Sequence, residues 1–138
     1  MSDPESYLLW ENERFAIHTP ANPNIPYSEG LHIFVAPKNA LSAAWDNPAL
    51  ASETFEVAAK ACAIMKNLAV APWFNLQANG DWGHLPGRSL YFHIHIFGRN
   101  KTENWGKPIA LPKAPGTYNN EPMPEKDRSL LIETFKSL

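Results

Sequence analysis

Apolar and polar residues alternate over several short stretches of this chain and fall at helical spacing over one long stretch. Residues 7–11 and 14–19 read as two short strands around a turn at Asn12-Glu13. A Pro/Asn loop follows, and Leu31-His32-Ile33-Phe34-Val35-Ala36 reads as a buried strand closed by Pro37. Asp46-Asn47-Pro48 is a helix start, with a capping side chain and proline in the first turn. From there Leu50, Phe55, Ala58, Ala61, Cys62, Met65 and Leu68 form one apolar stripe, and Pro72 stops the helix. Residues 73–79 alternate again, with Phe74, Leu76 and Ala78 on one face and Asn75, Gln77 and Asn79 on the other. A glycine-rich loop over 79–87 leads to a strand over 90–99, then a proline-rich stretch and a short helix over 127–138. Strands, one long helix and further strands predict an α+β domain with a mostly antiparallel sheet and the helix on one face.

The bulk numbers narrow the choice of partners. A chain of 138 residues with 44% apolar content suits a single domain spanning 1–138. A net charge of −2 exerts no long-range pull on nucleic acid or an acidic membrane, so an anionic ligand must be held by local donors. Cys62 is the one cysteine, which excludes an intrachain disulfide and suits a reducing compartment, with cytoplasm expected. The polar start Met1-Ser2-Asp3-Pro4-Glu5 does not read as a secretory signal, and no apolar run is long enough for a membrane span. Pro20, Pro23 and Pro26 mark one extended connection; Pro108, Pro112, Pro115, Pro122 and Pro124 mark another, in an extension over 107–138.

The chemistry concentrates in Tyr91-Phe92-His93-Ile94-His95-Ile96-Phe97. Read with period two, Phe92, Ile94 and Ile96 face the helix, while Tyr91, His93, His95 and Phe97 face away. Side chains at i and i+2 on a strand stand about 6.5–7 Å apart, so one phosphoryl group, carbonyl or metal can touch both imidazoles. The spacing alone is equally compatible with two structural histidines. It is also a minimal metal pair, which His32 or His84 would have to complete; no cysteine pair or carboxylate lies at ligand spacing. The residues 80–87 lack the Gly-Lys-Ser/Thr of a phosphate-binding P-loop. Trp73, Trp82 and Trp105 are candidates for stacking a base, or for core and dimer contacts.

The segment Tyr91-Phe92-His93-Ile94-His95-Ile96-Phe97-Gly98-Arg99 resembles the signature of the histidine-triad (HIT) family, His-φ-His-φ-His-φ-φ with φ apolar, with tyrosine at the first histidine. Other pieces resemble the family in the same order. Arg14-Phe15-Ala16-Ile17-His18 is similar to its early strand, and Leu31-His32-Ile33-Phe34-Val35-Ala36-Pro37-Lys38 to its Thr-His-Phe-Leu-Val-Ile-Pro-Lys strand. Asn79-Gly80 opens the loop where the family often has asparagine; Gly87-Arg88-Ser89-Leu90 is similar to its Gly-Gln-Ser-Val segment, and Trp105-Gly106 to the Hint branch. The resemblance covers roughly residues 7–112. It implies a HIT-like fold: an antiparallel sheet of about five strands with one long helix and a short C-terminal helix. Three departures stand out: Tyr91 for histidine, Gly87-Arg88 for Gly-Gln one residue out of step, and His18-Thr19 where the Hint branch has a His-Asp whose Asp holds a ribose.

The resemblance implies a hydrolase or transferase that cleaves a nucleotidyl phosphoanhydride or phosphoramidate through a covalent histidine intermediate. In the register that best fits Ile96-Phe97-Gly98-Arg99, His93 is the nucleophile; in the alternative, His95 is. His95 then donates to a phosphoryl oxygen, Ser89 contacts the phosphate or leaving group, and His32 orients His93 from the neighbouring strand. Tyr91, Asn79, Gly87, Arg88 and His18 are the expected ligand-binding residues. No cofactor or metal is expected. The expected partner is a phosphorylated small molecule such as a nucleotide, with no nucleic acid or membrane, and the protein is expected to be a homodimer. The alternatives are a non-catalytic HIT-fold binding protein and a metal-binding domain using His93 and His95.

Overall fold

The computed structural model describes residues 5–66, 71–99 and 117–138. Its strands are β1 (Ser6–Glu11), β2 (Phe15–Pro20), β3 (Gly30–Pro37), β4 (Trp73–Gln77) and β5 (Ile94–Arg99), and its helices α1 (Pro48–Met65) and α2 (Glu125–Phe135). The strands form one five-stranded sheet in the order β1-β2-β3-β5-β4, antiparallel at every pairing. The β1–β2 turn is closed by Asn12, whose side-chain oxygen accepts from the backbone N–H of Arg14 at 2.8 Å and Phe15 at 2.7 Å.

One face of the sheet carries Ile17, Ile33, Val35, Ile94 and Ile96, all at 1% exposure or less. These pack with Ala58, Ala61 and Met65 of α1 and Leu131 and Phe135 of α2. This burial is the main force holding both helices to the sheet. The opposite sheet face is left to the polar and aromatic residues. No helix among the described residues is long and apolar enough to cross a membrane.

Helix α1 starts as its sequence predicts. Asn47 accepts from the backbone N–H of Leu50 at 3.1 Å, and proline occupies the first turn. The buried stripe differs from expectation. It runs Leu50, Thr54, Ala58, Ala61, Met65, while Phe55 is 52% exposed. Phe55 lies one residue, about 100°, round the helix from that stripe. Thr54 takes its place because its hydroxyl is satisfied locally, donating to Leu50 O at 2.7 Å. The helix ends at Met65, with the N–H of Lys66 bonded to Cys62 O. Leu68 lies outside the described residues, as do Trp105-Gly106 and Pro108, Pro112 and Pro115.

Strand β5 is shorter than the expected 90–99, beginning at Ile94. Its ladder with β3 runs from Gly30–Arg99 to Val35–Ile94, and β4 stops at Gln77, opposite His95. Upstream, the N–H of Phe92 finds Leu41 O instead of a ladder partner. Residues 90–93 are therefore an extended lead-in, yet they keep the expected alternation: Phe92 is buried and Tyr91 half-exposed. Helix α2 starts two residues earlier than the expected 127 and ends at Phe135.

Strands β3 and β5 approach closely at Gly30, which has φ of 151°. A Cβ there would stand 1.9 Å from the carbonyl oxygen of Gly98. Gly30→Ala is expected to cost about 3 kcal/mol, from backbone strain plus the forced separation of the strands. Urea unfolding checks this; an unchanged midpoint would show that the β3–β5 contact can relax.

Candidate active site

The pairing register places functional side chains in rows on the sheet face away from the helices. His18, Phe34, His95 and Gln77 stand opposite one another across β2, β3, β5 and β4. His32, Phe97 and Asn75 form the next row. His93, just before β5, turns its ring back over the first row. Its Nε2 lies 3.0 Å from His95 Nε2, with the rings edge-to-face at 73°.

Three imidazoles thus form a hydrogen-bonded chain with a defined direction. The backbone N–H of Asn24 can only donate, and it meets His32 Nδ1 at 3.1 Å. His32 therefore carries its hydrogen on Nε2, which meets His95 Nδ1 at 2.8 Å. His95 in turn carries its hydrogen on Nε2, facing His93 Nε2. That leaves the hydrogen of His93 on Nδ1, 3.0 Å from the carbonyl oxygen of Tyr91, which can only accept. The assignments from the two ends agree, with every ring neutral. In this arrangement His93 Nε2 bears the lone pair at the end of the chain, and both nitrogens of His95 are engaged.

Burial favours the neutral rings. Desolvation pushes His32 well below the usual histidine range, reinforced by the neighbouring His95 and His93. Desolvation and the nearby His93 take His95 down to about 3. His93 is lowered by desolvation, opposed by its bond to Tyr91 O. The chain is uncharged at neutral pH.

His32 is linked to His93 through His95, each pair sharing a hydrogen bond. It stands opposite Phe97, one row from His95, and stacks on Phe97 with centroids 4.5 Å apart. Its strand is fixed by Thr19, which is 1% exposed and donates to His32 O at 2.9 Å. That bond turns Thr19 inward and takes it out of reach of a ligand. Tyr91 lies flat on His93, centroids 4.3 Å apart, and remains half-exposed. Burial and Glu5 push its phenol up, so it stays protonated.

His18 flanks this centre. It stacks on Phe34 at 5.4 Å, Phe34 presents its edge to His93 at 5.7 Å, and His18 Nδ1 shares a 3.1 Å hydrogen bond with Ser6 Oγ. Desolvation lowers His18 as well, against the pull of Glu11. Gly87, Arg88 and Ser89 lie on the exposed segment leading to β5, and Asn79 just past β4, bonded to Gln77 at 3.4 Å. The imidazole chain does not include them. His84 is exposed in a 3-10 turn. Among the described residues no group of three or more His, Cys, Asp or Glu stands where it could hold a metal ion. The ring nitrogens of His32, His95 and His93 face one another instead of converging on a point.

Two contributors escaped the sequence reading. Asn24 acts through its backbone, so its side chain gives no signal. Phe34 was legible in principle, as the residue two beyond His32 on the same strand face.

No sequence-family model matches the chain, and no curated protein matches it in sequence. Solved structures match it in fold. A histidine-triad protein from Sinorhizobium meliloti superposes with a TM-score of 0.67 at 16% identity, covering 97% of this chain and 90% of the other. One from Bradyrhizobium japonicum gives 0.66 at 12% identity, over 96% and 90%. A hypothetical histidine triad nucleotide-binding protein from Sulfolobus tokodaii gives 0.61 at 17% identity, over 97% and 83%. With its five-stranded antiparallel sheet, long helix and C-terminal helix, this chain has the histidine-triad fold.

Proposed function

We propose that this protein is a hydrolase or transferase that cleaves a nucleotidyl phosphoanhydride or phosphoramidate through a covalent intermediate on His93. The observation that supports it is the polarity of the imidazole chain, which leaves a lone pair on His93 Nε2 and a hydrogen on His95 Nε2. That lone pair attacks phosphorus, and the electron pair of the P–N or P–O bond departs with the leaving group. His95 turns its N–H to a non-bridging oxygen, and the Tyr91 carbonyl holds the Nδ1–H of the now positive His93 ring. Water then attacks phosphorus, and the P–Nε2 pair returns to His93. Ser89 contacts the phosphate or leaving group. Asn79, Gly87 and Arg88 on one side, and His18 on the other, bind the rest of the ligand.

A nucleotide-type ligand suits the Phe34–His18 stack beside His93 and the shared fold of the hypothetical histidine triad nucleotide-binding protein from Sulfolobus tokodaii. Thr19, turned inward on His32 O, does not serve as a ribose acceptor. Cytoplasm suits a chain whose one cysteine, Cys62, is half-buried with its thiol pushed up to about 11 by desolvation. The test is turnover of a panel of nucleoside phosphoramidates and dinucleoside polyphosphates, followed by 31P NMR. Binding without turnover across the panel would favour a second reading, a ligand-binding HIT-fold protein. The observation behind that reading is Tyr91, stacked on the nucleophile where the family has a histidine.

We also propose a homodimer. Strand β4 is a sheet edge, and Trp73 on it is 62% exposed, as are Trp45 at 82% and Phe55 at 52%. Light scattering at micromolar concentration is expected to give twice the chain mass; a monomer would reject this.

A further inference from the structure

We propose that Asn22 and Asn120 are positioning residues: they clamp the β2–β3 connection to the C-terminal segment, so that the Asn24 N–H stays on His32 and fixes the direction of the imidazole chain. The tautomer claim stands on geometry alone. Only its consequence for turnover rests on the reading of His93 as nucleophile.

The clamp joins residues almost a hundred positions apart. The backbone N–H of Asn120 donates to Asn22 Oδ1 at 3.2 Å, and its side-chain amide donates to Pro23 O at 2.7 Å. The side-chain amide of Asn22 donates to Tyr118 O. Asn22 thus uses its side-chain donor and acceptor, and Asn120 two donors, across one junction, and Pro23 between Asn22 and Asn24 is buried. The next N–H along, that of Asn24, is the one on His32 Nδ1. Proline at 20, 23 and 26 limits the other conformations this connection can take.

The polarity of the chain depends on that N–H. His32 is buried, and each of its ring nitrogens has a single partner, Asn24 and His95. If the Asn24 N–H withdraws, His32 gains nothing by keeping Nδ1 bare, and the hydrogen can move there. His95 must then offer its own Nδ1–H to His32, which leaves Nε2 bare. Two bare nitrogens then face each other between His95 and His93, or else the hydrogen of His93 moves to Nε2. The first loses a hydrogen bond in a desolvated place. The second abolishes the nucleophilic lone pair and sets a bare Nδ1 against the Tyr91 carbonyl. The chain is therefore read correctly at His93 only while it is anchored at both ends, by Asn24 and by Tyr91.

The C-terminal segment has other holds, one on the β2–β3 connection and one on β1. Tyr27 hydrogen-bonds Asp127, and the Arg128 guanidinium lies 3.8 Å over the Tyr7 ring. The clamp can thus be cut without releasing α2. The experiment is 15N spectroscopy of imidazole-labelled protein at neutral pH, which distinguishes the two neutral tautomers ring by ring. In the wild type, His32 and His95 are expected to be Nε2–H and His93 Nδ1–H. In the double variant Asn22→Ala/Asn120→Ala, which removes all three hydrogen bonds of the clamp, His32 and His95 are expected to shift toward mixed tautomers, and Asn120→Asp, which loses only the donor to Pro23, is expected to shift them less. His18, bonded to Ser6 outside the chain, is expected not to move. If the protein turns over a phosphoramidate, kcat falls roughly 10- to 100-fold with KM within about twofold, as for loss of a group that fixes a catalytic tautomer. An Nδ1–H tautomer at His32 in the wild type, unchanged His32 and His95 signals in the folded double variant, or a shift of all histidines together would each overturn the proposal. A tautomer shift in a protein without turnover would uphold the clamp and reject only the catalytic reading.

Discussion

His93→Ala is expected to abolish turnover, to the background level or by roughly 10⁴-fold at least. The other two rings keep their bare nitrogens inside the chain: His32 Nδ1 accepts from the Asn24 N–H, and His95 Nδ1 accepts from His32 Nε2. His95→Ala is expected to keep the nucleophile but lose the donor aimed at the phosphoryl oxygen, a loss of roughly 10²- to 10³-fold in kcat. Tyr91→His is expected to raise the rate, because tyrosine with its raised pKa does not exchange a proton near neutrality, and imidazole does. Its effect on folding is small, since Tyr91 is half-exposed. Steady-state hydrolysis by wild type and the three variants separates the registers. If His95→Ala is dead and His93→Ala retains activity, the nucleophile is His95.

The second large effect is loss of stability in mild acid. In the unfolded chain each histidine titrates near ~6.5. In the folded chain His32, His93 and His95 are all held below that, His95 at about 3. As pH falls below 6.5 the unfolded state takes up protons that the folded state refuses, so stability drops. Above 6.5 neither state binds them and the stability is fully present. Each group contributes a slope of up to about 1.4 kcal/mol per pH unit between its folded and unfolded pKa values. Urea midpoints are expected to be level from pH 8 to 7 and to fall steeply from pH 6 to 4. His95→Ala is expected to show a shallower fall. A wild-type midpoint independent of pH between 7 and 4 would show that the imidazole chain is hydrated and charged. The same depression predicts that kcat/KM, while the protein stays folded, does not decline near pH 6.5.

The sequence carried the sheet well wherever one face was buried. Alternation placed Ile94 and Ile96 against the helices and His93 and His95 away from them, because a period-two pattern leaves one register that buries the apolar set. It failed at edges. Strand β5 begins at Ile94 because its partners run out there, and partner lengths are not written in the strand itself. It also failed at Phe55 and Thr54, where hydrophobicity pointed to the larger side chain while helical geometry and a local hydrogen bond favoured the smaller. The site was legible as far as its side chains: His32, His93, His95 and Tyr91 are brought together. Its polarity was not, because the groups that set it are a backbone N–H at Asn24 and a backbone carbonyl at Tyr91. The clamp joins the Asn22 side chain to the backbone N–H of Asn120, two residues with no local pattern to connect them.

The central claim is a covalent intermediate on His93. Rapid quenching of the wild-type protein during turnover of a nucleoside phosphoramidate, followed by digestion under mildly alkaline conditions and mass spectrometry, tests it most directly. The predicted result is one nucleotidyl group per chain on the ring of His93, absent from His93→Ala. Product formation with the adduct on His95, or with no adduct at any quench time, would contradict it.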